Sequence, residues 1–213
     1  MYFQQISPQL EQLPLFESGH LYAGASNQQK VQRQLADWVR AGKVIQLRRG
    51  LYTLASEYNT KHPHSYVIAN HIVKGSYVSL HTALSYYDLI PEYVAVVTSV
   101  TTGRPGTWQN PYGHFSYQHI QNKLFFGFAY RQVTRTQWAY VATPEKALLD
   151  LIYLTPEADS EAYIRALRLQ NLDQINVERL SAYVERVNKP KLKRALTHVL
   201  QVIEEELTEY KPL

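Results

Sequence analysis

Apolar positions in the first 55 residues recur at helical spacing and then close up into short runs. Ile6, Leu10 and Leu13 fit one face of a helix that Pro14 ends or kinks. Leu15 to Tyr22 fits a second short helix, closed by Gly24. Ser26 with Gln29 three positions later forms a capping box. Val31, Leu35, Trp38 and Val39 make one stripe on the helix that follows, and Gly42 stands at its C-terminus. Val44 to Leu47, the turn Arg48-Arg49-Gly50 and Leu51 to Leu54 predict strand, turn, strand.

Helix, helix, helix and a two-stranded wing is the order of a winged helix-turn-helix. A polar stretch from Ser56 to His64 follows, with residues 57–63 as the expected linker. Beyond it the pattern mixes periods. His64 to Val73 reads as a helix, and Tyr77 to Leu80 as a strand running into a helix from Thr82 to Leu89. Val94 to Val100 is a β-branched run that reads as a buried strand, and Gly103 to Gly106 is a turn. Gly113 to Ile120, Leu124 to Val133 and Trp138 to Ala142 read as further strands. Thr143-Pro144 starts a helix, with Thr as cap and Pro in the first position. Two more stripes follow: Val177, Leu180, Val184 and Val187, then Leu192, Ala195, Leu196, Val199, Leu200 and Ile203. The expected fold class is α+β. It joins an N-terminal winged helix-turn-helix domain, residues 1–56, to a larger mixed domain, residues 64–213, with an antiparallel-rich sheet and a helical C-terminal end.

Charge sharpens this outline. Of the net +4, six Lys or Arg against the single acid Asp37 fall between Ala23 and Leu54. A local excess of that size points to a polyanionic partner. The 213 residues include no cysteine, which excludes disulfide scaffolds, Cys-ligated metal sites and thiol catalysis. The absence of cysteine, of a signal peptide and of an apolar run long enough to span a bilayer fits a cytoplasmic protein.

A helix whose stripe faces inward turns Gln29, Lys30, Arg33, Asp37 and Arg40 outward. Gln suits adenine edges, Arg suits guanine edges, and either cation suits phosphate. In a helix-turn-helix this helix enters the major groove with its first turns. The expected DNA contacts are therefore Gln29, Lys30 and Arg33, with Asn27 and Gln28 at the helix start. Arg48 and Arg49 at the wing tip and Tyr52 in the second wing strand are expected to meet flanking phosphate or the minor groove. Taken one at a time, each also reads as a cap, a solvated face or a charged hairpin tip. A second basic cluster comprises Arg186, Lys189, Lys191, Lys193 and Arg194, and Glu204 to Glu206 and Glu209 lie beyond it. On the helix opened by Pro190 both clusters oppose the helix dipole. Pairing with a neighbouring helix, or a partner such as DNA or RNA at the basic end, would offset this; a solvated face is the plain alternative.

Catalytic patterns are sparse. His62 with His64 and His114 with His119 lack the spacing of a helical metal site, so no metal or cofactor is expected. Ser79 and His81 lie two apart without an identifiable orienting acid, and read as caps of the helix that follows. Lys146 and Asp150 are spaced i, i+4 and read as a helix-surface ion pair. No enzymatic activity is expected.

Three segments carry a resemblance. Gly42-Lys43-Val44-Ile45-Gln46-Leu47-Arg48-Arg49-Gly50-Leu51-Tyr52 resembles the wing signature of the AbiEi family, the antitoxins of type IV toxin–antitoxin and abortive-infection systems. Tyr77 to Pro91 and Ala142 to Leu151 are similar to motifs of that family's C-terminal domain, with Asp88 where glycine is expected. The resemblance covers about residues 5 to 200. It implies a protein that represses its own operon by binding inverted repeats in the upstream double-stranded DNA. It also implies that the chain counters a co-encoded nucleotidyltransferase-like toxin, with no stable complex required and no membrane involved. The alternative is a winged-helix transcriptional regulator whose second domain senses a small ligand.

Overall fold

The computed structural model describes residues 3–22 and 27–209. The chain is mixed α and β. The first 54 residues run α1 (Phe3–Leu10), β1 (Phe16–Glu17), α2 (Ser18–Tyr22), α3 (Gln28–Arg40), β2 (Val44–Arg48) and β3 (Leu51–Leu54). The strands form a small antiparallel sheet in the order β1-β3-β2. The expected helix from Leu15 to Tyr22 is therefore divided. Phe16 and Glu17 pair with Tyr52 and Leu51, and only Ser18–Tyr22 is helical. Phe16 is fully buried, and the ladder bonds it gains outweigh a weak local helix signal. Gly24 and Ser26 lie outside the described residues.

The larger part runs α4 (Ser65–Ile72), β4 (Ser76–Val78), α5 (Leu80–Tyr86), β5 (Val96–Thr101), β6 (Gly106–Asn110), β7 (Gly113–His119), β8 (Phe128–Thr134) and β9 (Gln137–Ala142). It ends in α6 (Pro144–Leu154), α7 (Glu161–Ala166), α8 (Val177–Val187) and α9 (Pro190–Glu209). The six strands make one sheet in the order β6-β7-β5-β4-β9-β8. Three pairings are antiparallel, and β5 with β7 and β4 with β9 are parallel. Strand β6 belongs to no expected element. Its Gly-Thr-Trp-Gln-Asn run is too short and polar to signal itself, and it forms as the hairpin partner of β7. The expected strand from Leu124 begins only at Phe128, after a 3₁₀ turn over Asn122–Leu124.

Local signals hold at the starts of α6 and α9. Thr143 accepts from the Lys146 amide at 3.3 Å, with Pro144 in the first turn of α6. Pro190 opens α9. Leu180, Val184 and Val187 on α8 and Leu192, Ala195, Val199 and Ile203 on α9 are buried, while Val177 is exposed. Asp88 takes a φ of 53°, in the left-handed region where glycine is easiest. Its carbonyl accepts from Gln170 Nε2 at 3.2 Å and Asn171 Nδ2 at 2.7 Å.

The hydrophobic interior does not divide at the expected linker. One cluster joins Phe3, Leu10, Phe16, Leu21, Val31, Leu35, Trp38, Val44 and Leu54. Leu15, Leu47 and Leu51 instead belong to the large core with the helices and sheet beyond residue 64. The segment between is tied to both sides. Asn59 is buried and donates to Thr53 Oγ1 at 3.0 Å, Lys61 donates to the Gln12 carbonyl, and the His62 carbonyl accepts from Gln137.

Candidate nucleic-acid interface

Helix α3 is held by its apolar stripe. Val31, Leu35 and Trp38 are buried, and the Trp38 ring meets Phe3 edge-on at 5.3 Å. The N-cap is Asn27, one residue later than the Ser26 expectation. Its side chain accepts from the Lys30 amide at 3.0 Å. Gln29 therefore sits in the second position of the helix and is free of the capping-box role. With the stripe turned in, Asn27, Gln28, Gln29, Lys30 and Arg33 are all exposed on the N-terminal half. Asp37 and Arg40 further along are exposed but pair with each other. Among the described residues, the outer-face charge left without an ion-pair partner is thus that of Lys30 and Arg33.

At the hairpin the two arginines part company. Arg49 is exposed at the turn, which Gly50 makes possible with a φ of 83°. Arg48 turns inward. It is half-buried and donates to the Arg49 carbonyl at 2.9 Å and to the His71 carbonyl at 3.3 Å, which ties the hairpin to α4. Tyr52 is also half-buried, stacked on Phe16 at 5.8 Å. Of the residues expected to contact DNA, those of α3 share one open face and Arg49 has an open side chain. Arg48 and Tyr52 hold the hairpin in place.

The second basic cluster is largely answered within the chain. Arg194 pairs with Asp159 at 2.7 Å and Lys193 with Glu185 at 3.2 Å. Lys191 donates to the Thr155 carbonyl, and Arg186 lies over the Phe126 ring at 3.9 Å. Glu205, toward the acidic end, is paired with Arg165 at 2.8 Å. Neighbouring elements therefore offset much of the unfavourable dipole placement, as one of the two expectations had it.

Sequence reasoning missed a buried polar network. Lys146 and Asp150 do not sit on a helix surface: both are essentially inaccessible, and they pair inside the core. Asp150 Oδ2 also accepts from the Tyr77 hydroxyl at 2.9 Å and Ser79 Oγ at 2.8 Å. Ser79 holds the N-cap position of α5 but gives its side chain to Asp150 rather than to the helix. Burial pushes the Asp150 carboxyl above its ordinary range and the Lys146 ammonium below its own, each opposed by the partner's charge. The signal available was the company they keep. Ala147, Leu148, Leu149, Leu151 and Ile152 leave α6 no polar face, so the helix is buried all round. The arrangement has no cleft to admit a substrate at Ser79, which is fully buried. His81 is half-buried, and burial holds it below its ordinary value.

Two of the histidines singled out in the sequence, His64 and His119, serve the backbone. His64 Nδ1 caps α4 by accepting from the Tyr66 amide at 3.2 Å, and His119 Nδ1 donates to the Gly103 carbonyl at 2.9 Å. Among the described residues no three His, Cys, Asp or Glu side chains cluster as metal ligands, and no helix is long and apolar enough to cross a membrane. No family model matches the chain, and no curated protein matches it.

Proposed function

We infer that the chain is a DNA-binding antitoxin and autorepressor of a type IV toxin–antitoxin operon, acting in the cytoplasm against a nucleotidyltransferase-like toxin. The observation that carries the DNA-binding half is the open N-terminal face of α3. There Gln28, Gln29, Lys30 and Arg33 stand together, and among the described residues no acid is paired to either cation. The order α1-β1-α2-α3-β2-β3, with strands arranged β1-β3-β2, supports a winged helix-turn-helix over residues 1–56. The antitoxin half rests on the resemblance of three segments. The reading includes no enzymatic step, cofactor or metal; Ser79, the candidate nucleophile of the sequence, is sealed in the core.

Anisotropy with the upstream DNA and with random duplex at several salt concentrations tests the reading. Arg33→Ala is expected to weaken specific binding by about 1–3 kcal/mol and leave random binding nearly unchanged. Arg49→Ala is expected to weaken both and to lower the salt slope by about one. Equal affinity for upstream and random DNA in the unmodified chain would refute autorepression. Co-expression with the neighbouring toxin gene then tests antagonism, and unrelieved growth arrest would refute the antitoxin half.

A further inference from the structure

The large sheet is free of acids. From Tyr93 to Pro144 the chain has four Lys or Arg and no Asp or Glu, a run that includes β5 to β9. Strand β8 forms one edge of that sheet, beside β9. Side chains alternate along a strand, and on β9 Ala139 and Val141 are buried while Trp138 and Tyr140 face out. Tyr130 of β8 lies opposite Tyr140 in register. The exposures are 57% for Tyr130, 44% for Trp138 and 46% for Tyr140. Tyr130 stacks on Trp138 with centroids 5.8 Å apart and meets Tyr140 at 5.0 Å. Three large rings left in water at one sheet edge form a contiguous apolar patch of the kind that marks an interaction site.

A cleft of about 570 Å³ opens beside these rings, a volume suited to a nucleotide-sized ligand. Its lining also includes Phe125, Phe128, His71 and Lys74. Phe128 lies flat on Tyr77 at 4.4 Å, and Tyr77 is bonded to Asp150, so the floor rests on the buried polar network. The hairpin reaches the same rim. Arg48 donates to the His71 carbonyl, and Glu17 pairs with Lys74 through an exposed contact of 2.7 Å.

Charge decides the occupant. Within β4 to β9 the one charged residue is Arg131, and at the rim Arg48 and Lys74 stand against the single acid Glu17, so the surroundings of the ledge carry a cationic excess. A polyanion that presents flat faces suits both the charge and the rings. We propose that the ledge of Tyr130, Trp138 and Tyr140, with the cleft beside it, binds single-stranded nucleic acid. Bases stack on the rings, and the phosphates run toward Lys74 and the hairpin. Duplex DNA keeps its bases stacked on one another and offers this ledge none, so the site selects single strands.

The full chain is titrated with fluorescein-labelled ten-nucleotide dT and rU oligonucleotides and with a blunt duplex of random sequence. Expected is single-strand binding accompanied by a change in tryptophan emission. Trp138→Ala and Tyr140→Ala each weaken it about tenfold, Trp138→Phe retains most of it, and none of the three changes duplex affinity. Comparison of dT with rU tells DNA from RNA. Thermal unfolding of each variant confirms that the exposed substitutions leave the fold intact. Single-strand affinity equal in the unmodified chain and in Trp138→Ala would overturn the proposal. A dimer seen by sedimentation and dissolved by Trp138→Ala, without single-strand binding, would also overturn it in favour of a second copy.

Discussion

Asp150 is the hub of the core's polar network, and its removal should cost more than removal of its partner Lys146. In Asp150→Leu the ammonium of Lys146 retains only the ring faces of Tyr77 and Phe126, at 5.6 and 5.1 Å. Its escape is to lose the proton. From an ordinary value of 10.5, that costs at most about 5 kcal/mol at neutral pH. The Tyr77 and Ser79 hydroxyls lose their acceptor as well, at about 1 kcal/mol each or more. The sum is about 7 kcal/mol. In Lys146→Met the carboxyl keeps both hydroxyl donors and can take up a proton, which costs at most about 4 kcal/mol from an ordinary value of 3.8. The double variant removes both charges and orphans only the hydroxyls, so it should lose about 2–3 kcal/mol, less than either single change. Urea unfolding followed by tryptophan fluorescence and far-ultraviolet circular dichroism, with slopes compared across variants, measures all three. With total stability of about 5–15 kcal/mol, Asp150→Leu should be marginally folded. Losses below about 1 kcal/mol for both single variants would refute the buried pair. A double-variant loss equal to the sum of the single losses would refute the coupling.

Gly127 bears on the same network: it has a φ of 74°, and a Cβ there would lie 3.0 Å from Lys146 Cβ and Cγ. Because the Lys146 side chain is enclosed, Gly127→Ala should cost about 1–3 kcal/mol by urea unfolding, and an unchanged midpoint would refute the close packing. Burial holds the His64 imidazole below its ordinary value of 6.5, and only the neutral ring can accept from the Tyr66 amide. The folded chain then binds fewer protons than the unfolded one, so stability is full above that value and falls as pH drops below it. His64→Asn keeps a capping acceptor and removes the titration, so stability measured between about pH 7 and 5 should slope less, with His81 supplying the remainder. An unaltered slope would refute the assignment to His64.

Short-range physics explains which features could be read from the sequence. The stripe Val31, Leu35 and Trp38 fixes which side of α3 faces inward, and the open face follows from it by helical geometry alone. Thr143-Pro144, Pro190 and the Gly50 turn act within a few residues, so their caps and bends lie where the local pattern predicts. Phe16 and Glu17 became a strand because a partner distant in sequence offered them a ladder, and β6 exists because β7 lies beside it. Arg48 and Arg49 are adjacent and chemically identical, yet one reaches α4 and the other reaches solvent, a difference set by what the folded chain places next to each. Lys146 and Asp150 have the spacing of a surface pair. Only the packing of the sheet and the C-terminal helices around α6 turned them into a buried one, because burial depends on all the surfaces that close over a residue and not on its neighbours in the chain.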